Sequence, residues 1–242
     1  MSLLVLMLHR AQADRRGDRG EALEALVAHV AGSCNCVLPG GPLDPRRPNV
    51  CLSFDDAYYD FFAFVPPLLE RYDLRALLAV PAGLIQERTG APTDVRLAVS
   101  SADAFAYPER GGLCTWPELE SLAATGRVAF AAHGHTHVRL DRRGADLQRE
   151  VVAPRGLLER RLGQPVDSFV YPFGGFDRTA HALAAQHYRY VFRIGQASNA
   201  DWDAPLLYRI DAERMAPPAT FFSRSSRLRY RCNAAWNRWR GR

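Results

Sequence analysis

The chain has 242 residues, 48% hydrophobic and 24% charged, which suits one large soluble domain or one domain with a tail. No stretch approaches the roughly 18 consecutive apolar residues that a membrane-crossing helix requires. All 31 basic residues are arginine and the net charge is +5; the seven arginines of residues 224–242, with no acid among them, put +7 on that tail and so leave −2 on the rest. A near-neutral body with a basic tail argues against a general nucleic-acid binder. Taken in chain order, short apolar runs predict strands over 3–8, 50–54, 75–80, 128–132, 168–171, 190–194 and 206–210. Most of these runs are continuous, as in parallel strands covered on both faces. GEALEALVAHVA repeats leucine and valine at helical spacing between the first two. Thr115–Glu118, TWPE, reads as a capping box with proline at the first helical position. Residues 145–162 predict a helix kinked at Pro154, and 178–187 a shorter one. No internal repeat of solenoid period is present. Alternating strands and helices predict an α/β fold on a parallel sheet, and seven strands suggest a barrel.

The N-terminus, MSLLVLMLHR, has no basic leader and no small-residue cleavage site, so it reads as a first strand rather than a signal peptide. Cysteines 34, 36, 51, 114 and 232 are odd in number and scattered, which fits a reducing, cytoplasmic setting. Cys34-Asn-Cys36 has no second pair to complete a metal site, and core or loop thiols are the expectation.

Polar residues follow four of the strands. His9 follows 3–8, Asp55 and Asp56 follow 50–54, His133 follows 128–132, and Pro172 with a glycine pair follows 168–171. In a parallel barrel these positions share the C-terminal rim, where such folds carry active sites. Two adjacent carboxylates after a buried strand repel, and their burial is costly unless a positive group lies beside them. AAHGHTHVRL supplies His133, His135 and His137 at alternate positions. Imidazoles with Asp56 make a donor set suited to a divalent cation, leaving Asp55 free for proton transfer.

These residues carry a resemblance. SFDDAYYD resembles the TFDDG motif of the NodB-homology polysaccharide deacetylases, carbohydrate esterase family 4. HGHTH resembles the family's H-[ST]-x-x-H motif, which implies His133 and His137 as ligands and His135 as a neighbour. YPFGGFD resembles the YPYG segment of the branch that deacetylates poly-N-acetylglucosamine, and CTWPELESLAATGRVAF the segment leading into the histidine motif. The resemblance spans roughly residues 3–215. It departs at Ala57, where glycine is usual, at Gly134, where a hydroxyl residue is usual, and in lacking a third-motif arginine, for which Arg209 is the candidate substitute. No histidine follows His187, whereas LMLHR looks like the YHR-like segment of the same branch, which makes His9 the candidate acid.

The resemblance implies a distorted (β/α)7 barrel over residues 1–222, a basic tail over 223–242, and metal-dependent removal of an N-acetyl group from an N-acetylglucosamine-type sugar. Asp56, His133 and His137 would hold Zn²⁺, with Co²⁺, Ni²⁺ or Fe²⁺ as alternatives. Asp55 would act as base, aided by Arg209, His9 as acid, and the Phe173 backbone N–H as an oxyanion donor. Tyr171, Pro172, Phe173 and Trp116 are the candidate sugar contacts. The expected partner is an N-acetylated sugar. No nucleic-acid partner is expected, and the Arg/Trp tail is a candidate contact with the inner membrane surface. Other readings stay open: a deformylase or deacetylase of a lipid-linked aminosugar, a catalytically inactive carbohydrate-binding relative, a non-haem iron oxygenase, and a nucleic-acid-binding tail.

Overall fold

The computed structural model describes residues 3–11, 18–213 and 217–239. Its strands are β1 (Leu3–Leu8), β2 (Asn35–Cys36), β3 (Asn49–Phe54), β4 (Ala76–Val80), β5 (Val128–Ala132), β6 (Ser168–Val170), β7 (Tyr190–Ile194) and β8 (Leu207–Asp211). All pair in parallel, and β1 pairs with both β8 and β3, so β1 and β3–β8 close into a seven-stranded barrel. The short β2 pairs with Asn49 and Val50 at the start of β3, whose later residues pair with β4. The seven expected strands are thus present, with ends shifted by no more than a residue.

Strand alternation sorts the core into two layers. Leu3, Val5, Cys51, Leu77, Ala79, Ala131, Val170 and Leu207 fill the barrel interior. Leu4, Leu6, Val50, Leu52, Leu78, Phe130 and Ile210 pack outward under the helices. Those helices are α1 (Asp18–Ser33), α2 (Tyr59–Arg71), α3 (Thr93–Ala98), α4 (Ser101–Ala106), α5 (Trp116–Ala124), α6 (Ala153–Leu162), α7 (Arg178–His187), α8 (Pro218–Phe222) and α9 (Arg224–Trp239). Helix α2 was not anticipated: it carries Pro66 and Pro67 inside, which argue against a helix. Burial of Phe61, Val65 and Leu69 at four-residue spacing outweighs that cost.

At α5 the cap is Thr115, whose N–H is held by the Glu118 carboxylate at 2.7 Å. Pro117 is therefore the second helical residue, not the first, because Trp116 begins the helix. The expected kink at Pro154 takes the form of a π-helical turn over Gln148–Val152 that runs into α6, which accommodates the missing proline N–H. The expected boundary near residue 222 falls between α8 and α9. Helix α9 lies on the barrel wall, burying Ser226, Tyr230 and Ala234; Arg240 and Arg242 of the tail lie outside the described residues. Among the described residues no helix is long and apolar enough to cross a membrane, and all five cysteines are free thiols.

Candidate active site

The same alternation that fills the barrel aims the polar groups. Cys51 and Leu207 face inward, so Ser53 and Asp55, and likewise Arg209, continue inward at the top of β3 and β8. His9, two residues beyond Met7, and His133, two beyond the inward Ala131, follow the same rule. Asp56 breaks it. Strand parity would turn Asp56 away from its neighbour's side, but φ is +73° at Asp56 and +54° at Ala57. Two successive left-handed residues swing the second carboxylate back to the same centre.

There Asp56 Oδ1 lies 3.3 Å from His133 Nε2 and 3.1 Å from His137 Nε2. One ligand atom from each of the three residues falls within 4.8 Å of the others. His133 Nδ1 is 2.8 Å from the Val170 carbonyl, and a carbonyl only accepts, so Nδ1 carries the proton and Nε2 presents a lone pair. The His137 ring is held between Phe105, with centroids 4.3 Å apart, and Phe173, at 4.6 Å. Burial lowers its pKa, which keeps the ring in its ligating neutral form. Burial opposes ionisation of Asp56, so its charge needs a positive group beside it. Its Oδ1 is buried and has no hydrogen-bond donor. A buried carboxylate facing imidazole lone pairs is an unsatisfied arrangement that a cation completes. The residues therefore fit a divalent metal.

Asp55 is held differently. Arg209 Nη1 donates to its Oδ1 at 2.6 Å and to Ser53 Oγ at 3.3 Å. Both charged residues are almost wholly buried, Arg209 at 1% and Asp55 at 2% exposure, so the pair is charge-balanced. Burial opposes the Asp55 charge, but Arg209 holds the carboxyl below the ordinary aspartate value. His9 approaches from β1, its Nε2 3.8 Å from Asp55 Oδ2. Its Nδ1 is 3.1 Å from Glu213 Oε1, and its backbone N–H also bonds to that carboxylate. Burial favours the neutral ring. The Glu213 hydrogen bond and the Asp55 and Asp56 charges outweigh it, and the His9 pKa rises to about 9.

The groups open into a cleft of about 710 Å³ whose walls include His9, Asp55, Asp56, His133, His137 and Phe173. Phe173, at φ +57° and 57% exposed, offers its ring at the mouth. The other expected sugar contacts are placed less favourably. Tyr171 borders the cleft but is fully buried, its hydroxyl 3.0 Å from His181 Nδ1 and its ring stacked on Phe176. Pro172 is buried as well. Trp116 does not line the cleft: it is buried at the start of α5 with the Arg161 guanidinium 4.8 Å over its ring. His135 stays out of the trio and packs on Gly83, where a Cβ would come within 2.4 Å of its ring.

Three contributions were not anticipated from sequence. Glu213 orients His9, and α4 brings Ser101 and Phe105 to the cleft. Glu150 is 3% exposed and takes the N–H groups of His135 and Thr136 at 2.8 and 2.9 Å and the Thr136 hydroxyl at 2.6 Å. It anchors the histidine loop from below. Gly134 makes room for it: at φ +75°, a Cβ there would sit 3.1 Å from Glu150 Oε2. The hydroxyl missing from position 134 is thus replaced by a carboxylate from another element.

A barrel with carboxylates and imidazoles gathered at its C-terminal rim defines a hydrolase-type site. The sequence profile of the polysaccharide deacetylase family matches residues 43–191, and the chain belongs to that family, the NodB-homology group of carbohydrate esterase family 4. Its reaction class is carbohydrate deacetylation. Similar solved structures share the fold at low identity. IcaB from Ammonifex degensii is 19% identical over 87% of this chain and 91% of its own, with a TM-score of 0.65. The Streptococcus pyogenes deacetylase PplD is 18% identical, covering 92% and 97%, at 0.72. A de-N-acetylase from Aggregatibacter actinomycetemcomitans is 18% identical, covering 92% and 100%, at 0.68. No curated protein matches the chain by sequence.

Proposed function

We propose that the protein is a metal-dependent N-deacetylase acting on an N-acetylglucosamine-type sugar in a polysaccharide or glycan precursor. The observation that carries this reading is the trio of Asp56, His133 and His137 set beside an independently held Asp55. A divalent cation, Zn²⁺ before Co²⁺, Ni²⁺ or Fe²⁺, would supply Lewis acidity and lower the pKa of water at the site. Asp55, kept ionised by Arg209, takes the proton from the attacking water. His9, protonated through its contact with Glu213, gives a proton to the departing amine, which is too basic to leave as an anion. The Phe173 N–H serves as a donor to the developing oxyanion, and its exposed ring is the platform for a sugar face. The YPFG segment supports the poly-N-acetylglucosamine branch.

A lipid-linked aminosugar is the second reading, favoured by the tryptophans that α9 exposes. Purified, metal-loaded protein should release acetate from N-acetylglucosamine oligomers, and Asp56→Asn, His133→Ala and His137→Ala should each lose both metal and turnover. Undiminished metal in all three variants would refute the site. Release of formate from a formylated aminosugar, with no acetate from any oligomer, would select the second reading.

A further inference from the structure

Helix α9 has a face that the deacetylase reading does not use. Its inner side is fixed to the barrel: Tyr230 and Ala234 are buried, and Asn233 and Asn237 donate to the carbonyls of Gln196 and Gly195 at 2.7 and 2.9 Å. At 3.6 residues per turn the opposite side carries Leu228, Cys232, Trp236 and Trp239 in one stripe. Leu228 is 62% exposed, Trp236 53% and Trp239 77%, and the two indoles lie 5.1 Å apart. Arg224 and Arg231 flank the stripe on one side and Arg229 on the other, all exposed. No acidic residue lies in the helix. The buried inner face rules out a simply misplaced core helix, since α9 already has its packing partner.

We propose that this outer face of α9 docks the protein on an anionic lipid surface. Exposed apolar side chains with arginines on either side match the interfacial zone of a bilayer, where indoles sit at headgroup depth and guanidinium groups meet lipid phosphates. A nucleic acid would use the arginines but has no place for a leucine and cysteine between them. The position also suits a surface-bound substrate. Ile194 lines the catalytic cleft, and the two residues after it are the ones α9 holds. Helix α9 is thus joined to the segment that leaves the cleft wall at Ile194.

The test uses the full chain and two triple variants, L228S/W236S/W239S and R224Q/R229Q/R231Q, with sedimentation of vesicles of phosphatidylcholine alone or with phosphatidylglycerol. The wild type should partition onto the anionic vesicles about tenfold or more better than onto neutral ones, less so in high salt. Each triple variant should lose about tenfold or more of that binding while melting at the wild-type temperature. Brominated lipid should quench the wild-type fluorescence, and W236F/W239F should abolish the quenching, because Trp116 and Trp202 are buried. No wild-type partition, or partition unchanged by either triple variant, overturns the proposal. So does tight binding of a single-stranded oligonucleotide by a protein that leaves anionic vesicles unbound.

Discussion

Replacing Glu150 should weaken the metal site without touching a metal ligand. In Glu150→Ala the two N–H groups of His135 and Thr136 and the Thr136 hydroxyl lose their acceptor in a place where Glu150 is 3% exposed. A buried donor left unsatisfied costs about 1–3 kcal/mol, so three such groups, partly rescued by water entering the vacated space, come to about 3 kcal/mol. For a protein of this size that lowers Tm by about 6–12 °C. The loop that comes loose is the one that holds His137 at φ +57° between Phe105 and Phe173, and loss of such outer support costs about 10–100-fold in metal affinity. Glu150→Gln keeps one acceptor oxygen and should lose only about 1 kcal/mol. Denaturant unfolding and chelator competition for bound Zn²⁺ measure both effects. An alanine variant within about 0.5 kcal/mol of wild type, with unchanged metal affinity, would refute the anchoring role.

Asp55→Asn should keep metal and lose about 10²–10⁴-fold in turnover, the span of general-base catalysis; near-normal turnover at matched metal content rules Asp55 out as the base. The same change leaves Arg209 buried without its counter-charge, so unfolding should also come earlier. His9→Ala should lose about 10²–10⁴-fold on an amide and much less on an activated aryl ester, whose leaving group needs no proton; equal losses would make His9 positional. In metal-free protein the His9 pKa of about 9 lies above its ordinary value of 6.5. The stabilisation it brings is therefore complete below pH 6.5 and disappears as pH rises through 9. Glu213→Gln should lower that pKa in an NMR titration, and an unmoved value would deny the Glu213 contact. Gly134→Ala forces a Cβ toward Glu150 at positive φ and should cost about 1–2 kcal/mol, read in the same unfolding experiment.

The strands and the candidate metal trio were legible because each of their residues sits in a local pattern. A continuous apolar run followed by a polar residue states both a buried strand and a rim position, and His133 and His137 lie four residues apart. What escaped depends on distance in sequence or on context. Glu213 meets His9 across 204 residues, and Glu150 looks like any acid in an Arg-rich helical stretch until its three donors are seen. An aromatic residue such as Trp116 suits a sugar contact, but Trp116 lies between the Thr115 cap and Pro117, under the Arg161 guanidinium. Helix α2 was hidden by its proline pair, although Phe61, Val65 and Leu69 give it a buried stripe. The tail showed its charge but not its structure, since a run of arginines does not announce that Tyr230 and Ala234 will be buried.

Two of the three departures from the family pattern, at Ala57 and Gly134, turn on backbone at positive φ. Ala57 stands where glycine is usual and adopts φ +54°, a conformation that costs a non-glycine residue about 1–2 kcal/mol. Its side chain is wholly buried, and burying a methyl group returns about 0.8 kcal/mol. Its unfolded state is also less flexible than that of glycine, by about 0.5–1 kcal/mol. The three terms nearly cancel, and the loop is further held by the Cys114 N–H bond to the Ala57 carbonyl at 2.8 Å. At position 134 the balance runs the other way. A side chain there would meet both positive φ and the Glu150 carboxylate, so glycine is the residue that lets the carboxylate in. Asp56, Ala57, His137 and Phe173, all at positive φ, stand at the two loops that make the metal trio and at the cleft mouth. Strain of this kind persists where surrounding contacts over-determine the backbone, and here those contacts are Cys114 on one loop, Glu150 on the next, and the Tyr171 carbonyl bonded by Gly174 N–H at 2.9 Å on the third.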